Sequence, residues 1–221
     1  MSVLIAIPAR YASTRYPGKP LVPLTGANGT SMTLIERSWR AAISVSGVDR
    51  VVVATDDDRI REVSEGFGAE VVMTSDTCRN GTERCAEAHS ALDGGYDIVV
   101  NLQGDAPLTP HWFVEDLISG LRNAPDAGVA TPVLRCDGDA LNGLLNDRKQ
   151  GRVGGTTAVF GNDHSALYFS KEVIPFTAET YASSDPTPVF HHVGVYAYRP
   201  DALTAYPGWT SGPLETLEGL E

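Results

Sequence analysis

The sequence predicts an α/β fold built on a mostly parallel sheet. Along the first 135 residues, short apolar runs rich in β-branched residues alternate with longer segments whose apolar positions follow helical spacing. Strands that alternate with helices form right-handed βαβ units, which give a parallel sheet. Polar clusters follow several of the apolar runs, and ligands of such sheets bind beyond the carboxyl ends of the strands.

The elements of this first region follow in order. The run Val3 to Ile7 is wholly apolar and is closed by Pro8, which is typical of a central strand covered on both faces. Residues 10–21 mix Gly and Pro with polar residues and predict a loop. The predicted strands are residues 3–7, 51–54, 69–73, 97–101 and 128–134, and the predicted helices are residues 33–45, 58–67, 82–92 and 110–121.

The pattern changes after about residue 135. Residues 137–155 are polar and Gly-rich, contain the basic run 147–152, and predict a mobile loop. Residues 156–160, 166–170 and 189–198 have strand character and are separated by turn residues. We therefore divide the chain into a core of residues 1–135 and a smaller antiparallel or mixed lobe of residues 136–221.

Composition narrows the class of protein. The 221 residues carry a formal net charge of -11, which argues against a general nucleic-acid binder because such proteins need a basic face. No apolar run approaches the roughly 20 residues of a membrane span, and the amino-terminal run lacks the basic flank of a signal peptide. The three cysteines show no CxxC spacing, so neither a disulfide framework nor a zinc site is indicated. A cytoplasmic protein without a nucleic-acid or membrane partner is expected.

The loop after the first strand is a candidate anion site. Its cations lie close together, and Gly18 allows a ligand to approach the backbone, which suits phosphate oxygens. The segment lacks the GxxxxGK[ST] spacing of a P-loop. A solvated basic loop, held by its prolines, is the alternative. The candidate residues are Arg10, Ser13, Arg15, Gly18 and Lys19.

Carboxylates follow two other predicted strands. Asp105, in the sequence Gln103-Gly104-Asp105, is placed to be a Mg²⁺ ligand facing a triphosphate, and capping of the next turn is an equal alternative. Asp56 has the same position one strand away, and there a helix N-cap is the favoured interpretation.

Three further segments carry polar side chains. Residues 80–84 open a helix, which Thr82 with Glu83 can cap; alternatively, the backbone amides at this helix start bind a base edge or a phosphate. His191 and His192 point to opposite faces of a strand, so at most one belongs to a site, and His192 is our choice. Residues 214–221 have the pattern of an amphipathic helix.

Taken in order, these segments resemble the 3-deoxy-manno-octulosonate (Kdo) cytidylyltransferase family. The resemblance runs from residue 3 to residue 221, and the combination of RxPGKPL with QGD is its specific part. It implies a Rossmann-like nucleotidyltransferase fold with a smaller mixed α+β dimerisation lobe, and hence a homodimer. The matching pieces are IPARYASTRYPGKPL, VVVATDD, NGTERCAEA, DIVVNLQGDAPL, ALYFSKEVIPF, HHVGVYAYRPDAL and PLETLEGLE.

The resemblance also implies an activity and a role for each matched residue. The enzyme would transfer CMP from CTP to the anomeric hydroxyl of a 2-keto-3-deoxy sugar acid, with Mg²⁺ bound by Asp105 and with pyrophosphate released. Arg10, Lys19 and Asp105 would be catalytic. The implied nucleotide-binding residues are Ala9, Arg10, Ser13, Arg15, Lys19, Asn80, Gly81, Arg84 and Gln103, and the implied sugar-binding residues are Gln103, His192, Tyr196 and Glu215.

The chain departs from the family pattern in three places. Ala106 replaces a usual acid after Asp105, and residues 146–157 replace a shorter segment beside the expected sugar lobe. The family segment that carries a second metal-ligating Asp would follow Glu221. An amino-substituted or sialic-type sugar acid therefore remains an alternative substrate, and a non-catalytic nucleotide-binding relative remains an alternative function.

Overall fold

The computed structural model describes residues 1–12 and 16–220. Its chain forms two compact units. The first contains Met1–Ala130 and Gly194–Trp209, and the second contains Thr131–Val193 and Thr210–Glu221. The division differs from the linear boundary at residue 135, because residues 194–209 return to the first unit and add a strand to its sheet.

The described strands and helices confirm the predicted alternation. The strands are β1 (Val3–Ala9), β2 (Pro23–Thr25), β3 (Ser31–Thr33), β4 (Arg50–Thr55), β5 (Glu70–Met73), β6 (Ile98–Leu102), β7 (Val129–Ala130), β8 (Val133–Asp137), β9 (Thr157–Phe160), β10 (Ala166–Ser170), β11 (Pro186–His192) and β12 (Val195–Tyr198). The helices are α1 (Leu34–Ile43), α2 (Asp58–Gly66), α3 (Gly81–Ala91), α4 (His111–Asn123), α5 (Gly138–Lys149), α6 (Pro200–Ala205) and α7 (Pro213–Glu218). Short 3-10 helices lie at Lys19–Leu21 and Tyr206–Gly208.

The first unit is built on a six-stranded sheet with the order β5-β4-β1-β6-β12-β7. Its first four strands are parallel, and β12 runs antiparallel to both β6 and β7. Every residue of β1 is buried, as expected for a central strand whose two faces are both covered. The sheet is therefore mainly parallel, as predicted.

The core on one face of this sheet joins the central strands to α3. Leu4 and Ala6 of β1 pack in one cluster with Cys85 and Ala88 of α3. Because α3 follows the parallel strand β5 along the chain, its amino terminus lies at the carboxyl end of the parallel strands. This placement matters for the candidate site.

The second unit contains an antiparallel sheet with the order β10-β9-β11-β8. Its small core is formed by Cys136 of β8, Leu141 of α5 and Val189 of β11. The helix α5 corrects the prediction of a mobile loop over residues 137–155. Asp137 caps α5 by accepting a hydrogen bond from the Ala140 N–H at 2.8 Å, and burial of Leu141 stabilises a segment whose polar composition hid its helical character.

Two predicted strands are each divided in the structure. The segment 128–134 forms β7 and β8, and the segment 189–198 forms the end of β11 and all of β12. In both segments one part belongs to the first sheet and the other to the second. The sequence pattern shows extended backbone in both parts but contains no signal for the change of sheet.

Candidate active site

The parallel strands bring three polar segments to one edge of the first unit. Arg10 lies exposed directly after β1, Asp56 follows β4, and residues 103–105 follow β6. In the β1–β6 register Ala6 lies opposite Asn101, so residues 103–105 lie beside the carboxyl end of β1. The predicted clustering at the carboxyl edge of the sheet is present in the structure.

Gly104 makes this close approach possible. A Cβ atom at residue 104 would lie 2.7 Å from the carbonyl oxygen of Pro8 and 3.3 Å from Cδ1 of Ile35. The carbonyl oxygen of Gly104 accepts a hydrogen bond from the Ser38 hydroxyl at 2.9 Å. The backbone before Asp105 is therefore held between β1 and α1, and only a residue without a side chain fits there.

Lys19 and Asp105 meet at this edge. Lys19 Nζ donates to Asp105 Oδ2 at 2.6 Å, and both side chains are about half exposed. Gly18, with φ of 70°, precedes Lys19, and the Gly18 N–H donates to the Tyr11 carbonyl at 2.9 Å. The contact joins Lys19, a cation of the predicted anion-binding loop of residues 10–21 (the phosphate loop), to the predicted metal ligand Asp105. Because both side chains are accessible, an incoming phosphate can replace Asp105 as the partner of Lys19. An incoming metal ion can likewise replace Lys19 as the partner of Asp105.

Gln103 is held between β6 and the start of α3. Gln103 Nε2 donates to Oδ1 of the fully buried Asn101 at 2.9 Å. A Cβ atom at Gly81 would lie 3.3 Å from Gln103 Nε2 and 3.2 Å from Pro8 Cγ. The two predicted binding residues Gln103 and Gly81 are therefore neighbours.

The side chain of Asn80 is the N-cap of α3. Its Oδ1 accepts from the Glu83 N–H at 2.9 Å, and its Nδ2 donates to the Tyr206 hydroxyl at 2.9 Å. Both ends of the amide are engaged, so the Asn80 side chain fixes the start of α3. The cap of this helix is therefore provided by Asn80 rather than by Thr82 with Glu83.

Arg84 lies in the interior of the first unit, only 3% exposed. Its guanidinium is 3.3 Å from Asp56 Oδ2 and also donates to the Thr74 hydroxyl. The favoured interpretation of Asp56 as a helix N-cap was wrong, because Asp57 caps α2 by accepting from the Arg59 N–H. The Arg84–Asp56 pair instead ties α3 to the end of β4.

Arg59 is a cation at the same edge that sequence analysis did not select. Its guanidinium lies 3.3 Å from the centre of the Tyr11 ring, a cation–π contact, and it is paired with Asp57 at 2.6 Å. Its position in the sequence, directly after the three aspartates that follow β4, could have indicated that it lies at this edge. Ser13 and Arg15, two predicted nucleotide-binding residues, lie outside the described residues.

The remaining sugar candidates belong to different units. Tyr196 lies opposite Asn101 in the β12–β6 register, which places it at the edge of the first sheet. Glu215 belongs to the second unit, where its carboxylate accepts from Ser211 Oγ at 3.0 Å and from the Gly212 N–H at 3.2 Å. Those bonds make Glu215 part of the capping of α7.

His192 is half-buried in the second unit. Its Nε2 is 2.8 Å from the Thr131 hydroxyl, and its ring packs edge-on against Phe169. Burial, with a smaller contribution from the charge of His191, lowers the pKa of His192 to about 4. The imidazole is therefore neutral at pH 7 and can bond a sugar hydroxyl without carrying charge.

This pKa predicts an acid sensitivity of the fold. At residue 192 the unfolded chain, with a His pKa near 6.5, binds more protons than the folded chain between about pH 6.5 and 4. The contribution of His192 to stability therefore falls as pH falls through that window. Between pH 7 and pH 4.5, we expect the urea concentration at the unfolding midpoint to decrease less for His192→Gln than for the parent protein. The exposed His111 is the matched control, and an equal effect of His111→Gln would contradict the assignment to His192.

The described residues contain no group of three or more His, Cys, Asp or Glu side chains able to hold a metal ion. Asp105 is accordingly a single, half-exposed carboxylate. That arrangement fits Mg²⁺, which is commonly bound through one or two carboxylates together with substrate phosphates. Within the part of the chain that is described, no helix is long and apolar enough to cross a membrane.

Comparison with known proteins decides the family. A family model described as cytidylyltransferase matches residues 4–221. The chain belongs to the cytidylyltransferase family. It is 45% identical over 221 residues to the 3-deoxy-manno-octulosonate cytidylyltransferase of Maricaulis maris, in an alignment that covers 100% of this chain and 82% of that protein.

A second cytidylyltransferase relative differs in its sugar. The chain is 40% identical over 223 residues to the 8-amino-3,8-dideoxy-manno-octulosonate cytidylyltransferase of Shewanella piezotolerans, covering 100% of this chain and 84% of that protein. Among solved structures, CMP:2-keto-3-deoxy-manno-octonic acid synthetase complexed with CTP matches with a TM-score of 0.83 at 33% identity, over 100% of this chain and 83% of the other. These matches confirm the predicted family and its nucleotidyltransferase fold.

Proposed function

We propose that this cytidylyltransferase transfers CMP from CTP to the anomeric hydroxyl of Kdo and releases pyrophosphate. The observation that carries the proposal is the meeting of Lys19 and Asp105 at the carboxyl edge of the sheet, in a fold that matches a synthetase complexed with CTP. The relative of 45% identity is named for the same reaction. The product would be a CMP-sugar for lipopolysaccharide or capsule synthesis.

The phosphate loop supplies positive charge to the leaving group. Arg10 and Lys19 would bind the β- and γ-phosphates, with Ser13 and Arg15 of the same loop as further ligands. Nucleotidyl transfer needs little covalent help from a protein, so positioning and charge stabilisation provide most of the rate. The neighbouring backbone at Ala9 and the start of α3, through Asn80 and Gly81, would hold the rest of the nucleotide. Arg84 would support that helix start from the interior.

The metal is proposed to be Mg²⁺, held by Asp105 together with the phosphates of CTP. When bound, it would neutralise phosphate charge and polarise the reacting oxygens. Asp105 would supply one of its ligands, and the ion pair with Lys19 supports this proposal because it places a positive charge against the same carboxylate.

Gln103 and Tyr196 are proposed to contact the sugar acid. His192 and Glu215 are the other two sugar-binding residues that the family resemblance implies, and we propose that role for each of them. Gln103 directly follows β6, and Tyr196 lies opposite Asn101 near the carboxyl end of that strand. His192 offers a neutral hydrogen-bonding group. A homodimer is also proposed, and the strongly exposed Leu167, Phe176 and Leu217 of the second unit support it.

A panel of sugar acids tests the reaction. We expect CTP- and Mg²⁺-dependent pyrophosphate release with Kdo, and little release with a sialic-type acid or without any sugar. The second candidate substrate is the 8-amino-substituted sugar, for which the relative of 40% identity is named. A higher kcat/KM for this sugar than for Kdo would identify it as the substrate instead. CTP binding without release from any sugar acid would identify a non-catalytic nucleotide-binding protein.

A further inference from the structure

Asn101 is a polar residue within an otherwise apolar strand. It is the fourth residue of β6, whose sequence is IVVNL, and its side chain is fully buried. Its Oδ1 accepts the hydrogen bond from Gln103, but its Nδ2 is buried without a hydrogen-bond partner among the described residues. A buried unpaired donor weakens the fold, so an aliphatic residue would suit this position of the strand better.

The Asn101–Gln103 bond determines what Gln103 can offer. With one Nε2 proton given to Asn101, the other N–H and the Oε1 atom of Gln103 have no hydrogen-bond partner among the described side chains. On its other side the amide packs over Gly81, whose lack of a Cβ atom leaves the necessary room. The amide is therefore held from two sides, as a preorganised binding group requires.

We infer that Asn101 is a positioning residue that orients the Gln103 amide toward the substrate. The inference deepens the proposed function and rests on it for the identity of the substrate. Asn101 is buried and does not itself contact the substrate. Its effect passes through Gln103, which explains why a polar residue occupies this strand position at the expense of stability.

A double-mutant cycle tests the coupling. Gln103→Leu first shows which KM, that for CTP or that for the sugar acid, depends on the amide. Asn101→Val should raise the same KM by about tenfold, in keeping with one oriented hydrogen bond, and should leave the unfolding midpoint unchanged or higher. In the Gln103→Leu background Asn101→Val should add nothing to that KM. Independent, additive effects of the two changes would overturn the inference.

Ser64→Ala is the matched control. Ser64 also buries an oxygen without a partner among the described residues, but it lies on α2 and does not contact Gln103. Its removal should leave both KM values unchanged while affecting stability in the same direction as Asn101→Val. If Asn101→Val does not fold, Asn101→Ser, which is too short to reach Gln103, enters the same cycle.

A second measurement separates the inference from the proposed function. The NMR signals of the Gln103 side-chain amide can be assigned by their loss in Gln103→Leu. In Asn101→Val these signals should shift, and the amide protons should exchange faster with water. Unchanged signals would overturn the positioning role whatever the kinetics. If the signals respond but no sugar acid supports pyrophosphate release, the proposed function fails and the positioning role stands.

Discussion

Replacement of Asp105 by Asn should abolish CMP transfer while leaving the protein folded. The change keeps the shape of the side chain but removes the charge that pairs with Lys19 at 2.6 Å and that we assign to the metal. An ion pair between two half-exposed side chains contributes little to stability, so the unfolding midpoint should change only slightly. Loss of a charge-stabilising group in the reaction should lower the rate at least about a hundredfold.

Asp58→Asn is the control for this experiment. Asp58 is also an exposed aspartate of the first unit in an ion pair, 3.1 Å from Arg61, but it lies on the surface of α2. Pyrophosphate release with CTP, Mg²⁺ and Kdo should be close to that of the parent for Asp58→Asn and near background for Asp105→Asn. Normal turnover of Asp105→Asn would remove the basis for the metal assignment.

Replacement of Gly104 by Ala should damage both stability and turnover. The new Cβ atom would lie 2.7 Å from the carbonyl oxygen of Pro8, an atom of the central strand that cannot move away without disturbing the sheet. Overpacking of this kind costs about 1–3 kcal/mol of unfolding free energy. Relief of the clash would displace the backbone before Asp105, so kcat should fall by more than the loss of folded protein accounts for.

Gly120→Ala provides the matched comparison. Gly120 lies within α4, and a Cβ atom there would meet nothing within 4 Å. Alanine is the better helix former, so this change should raise the unfolding free energy by up to about 1 kcal/mol and leave turnover unchanged. Chemical unfolding and pyrophosphate release measured on both variants give the comparison. A Gly104→Ala protein with normal kcat would show that the close approach to Pro8 is unimportant for Asp105.

Much of the first unit could be predicted from the sequence because its signals are local. The run Val3 to Ile7 needs no partner to be recognised as a buried strand, and the placement of Arg10 and Asp105 at one edge follows from the geometry of any parallel sheet. The helix over residues 138–149 could not be predicted, since it is stabilised by the packing of Leu141 and Leu144 against β8 and β11 rather than by helix propensity.

The sequence by itself determined the α/β class and, through resemblance, the family, and it predicted a phosphate-binding loop and a metal-binding QGD segment. Tertiary structure alone decided which polar side chains meet. It paired Asp56 with Arg84, assigned the cap of α3 to Asn80, and joined Gln103 to Asn101. The physical reason is that periodicity reports whether a residue faces a core, whereas a hydrogen bond or ion pair depends on distances between segments far apart in the chain. Even Lys19 and Asp105, both predicted for the site, could be seen as partners only after β1 and β6 were placed side by side.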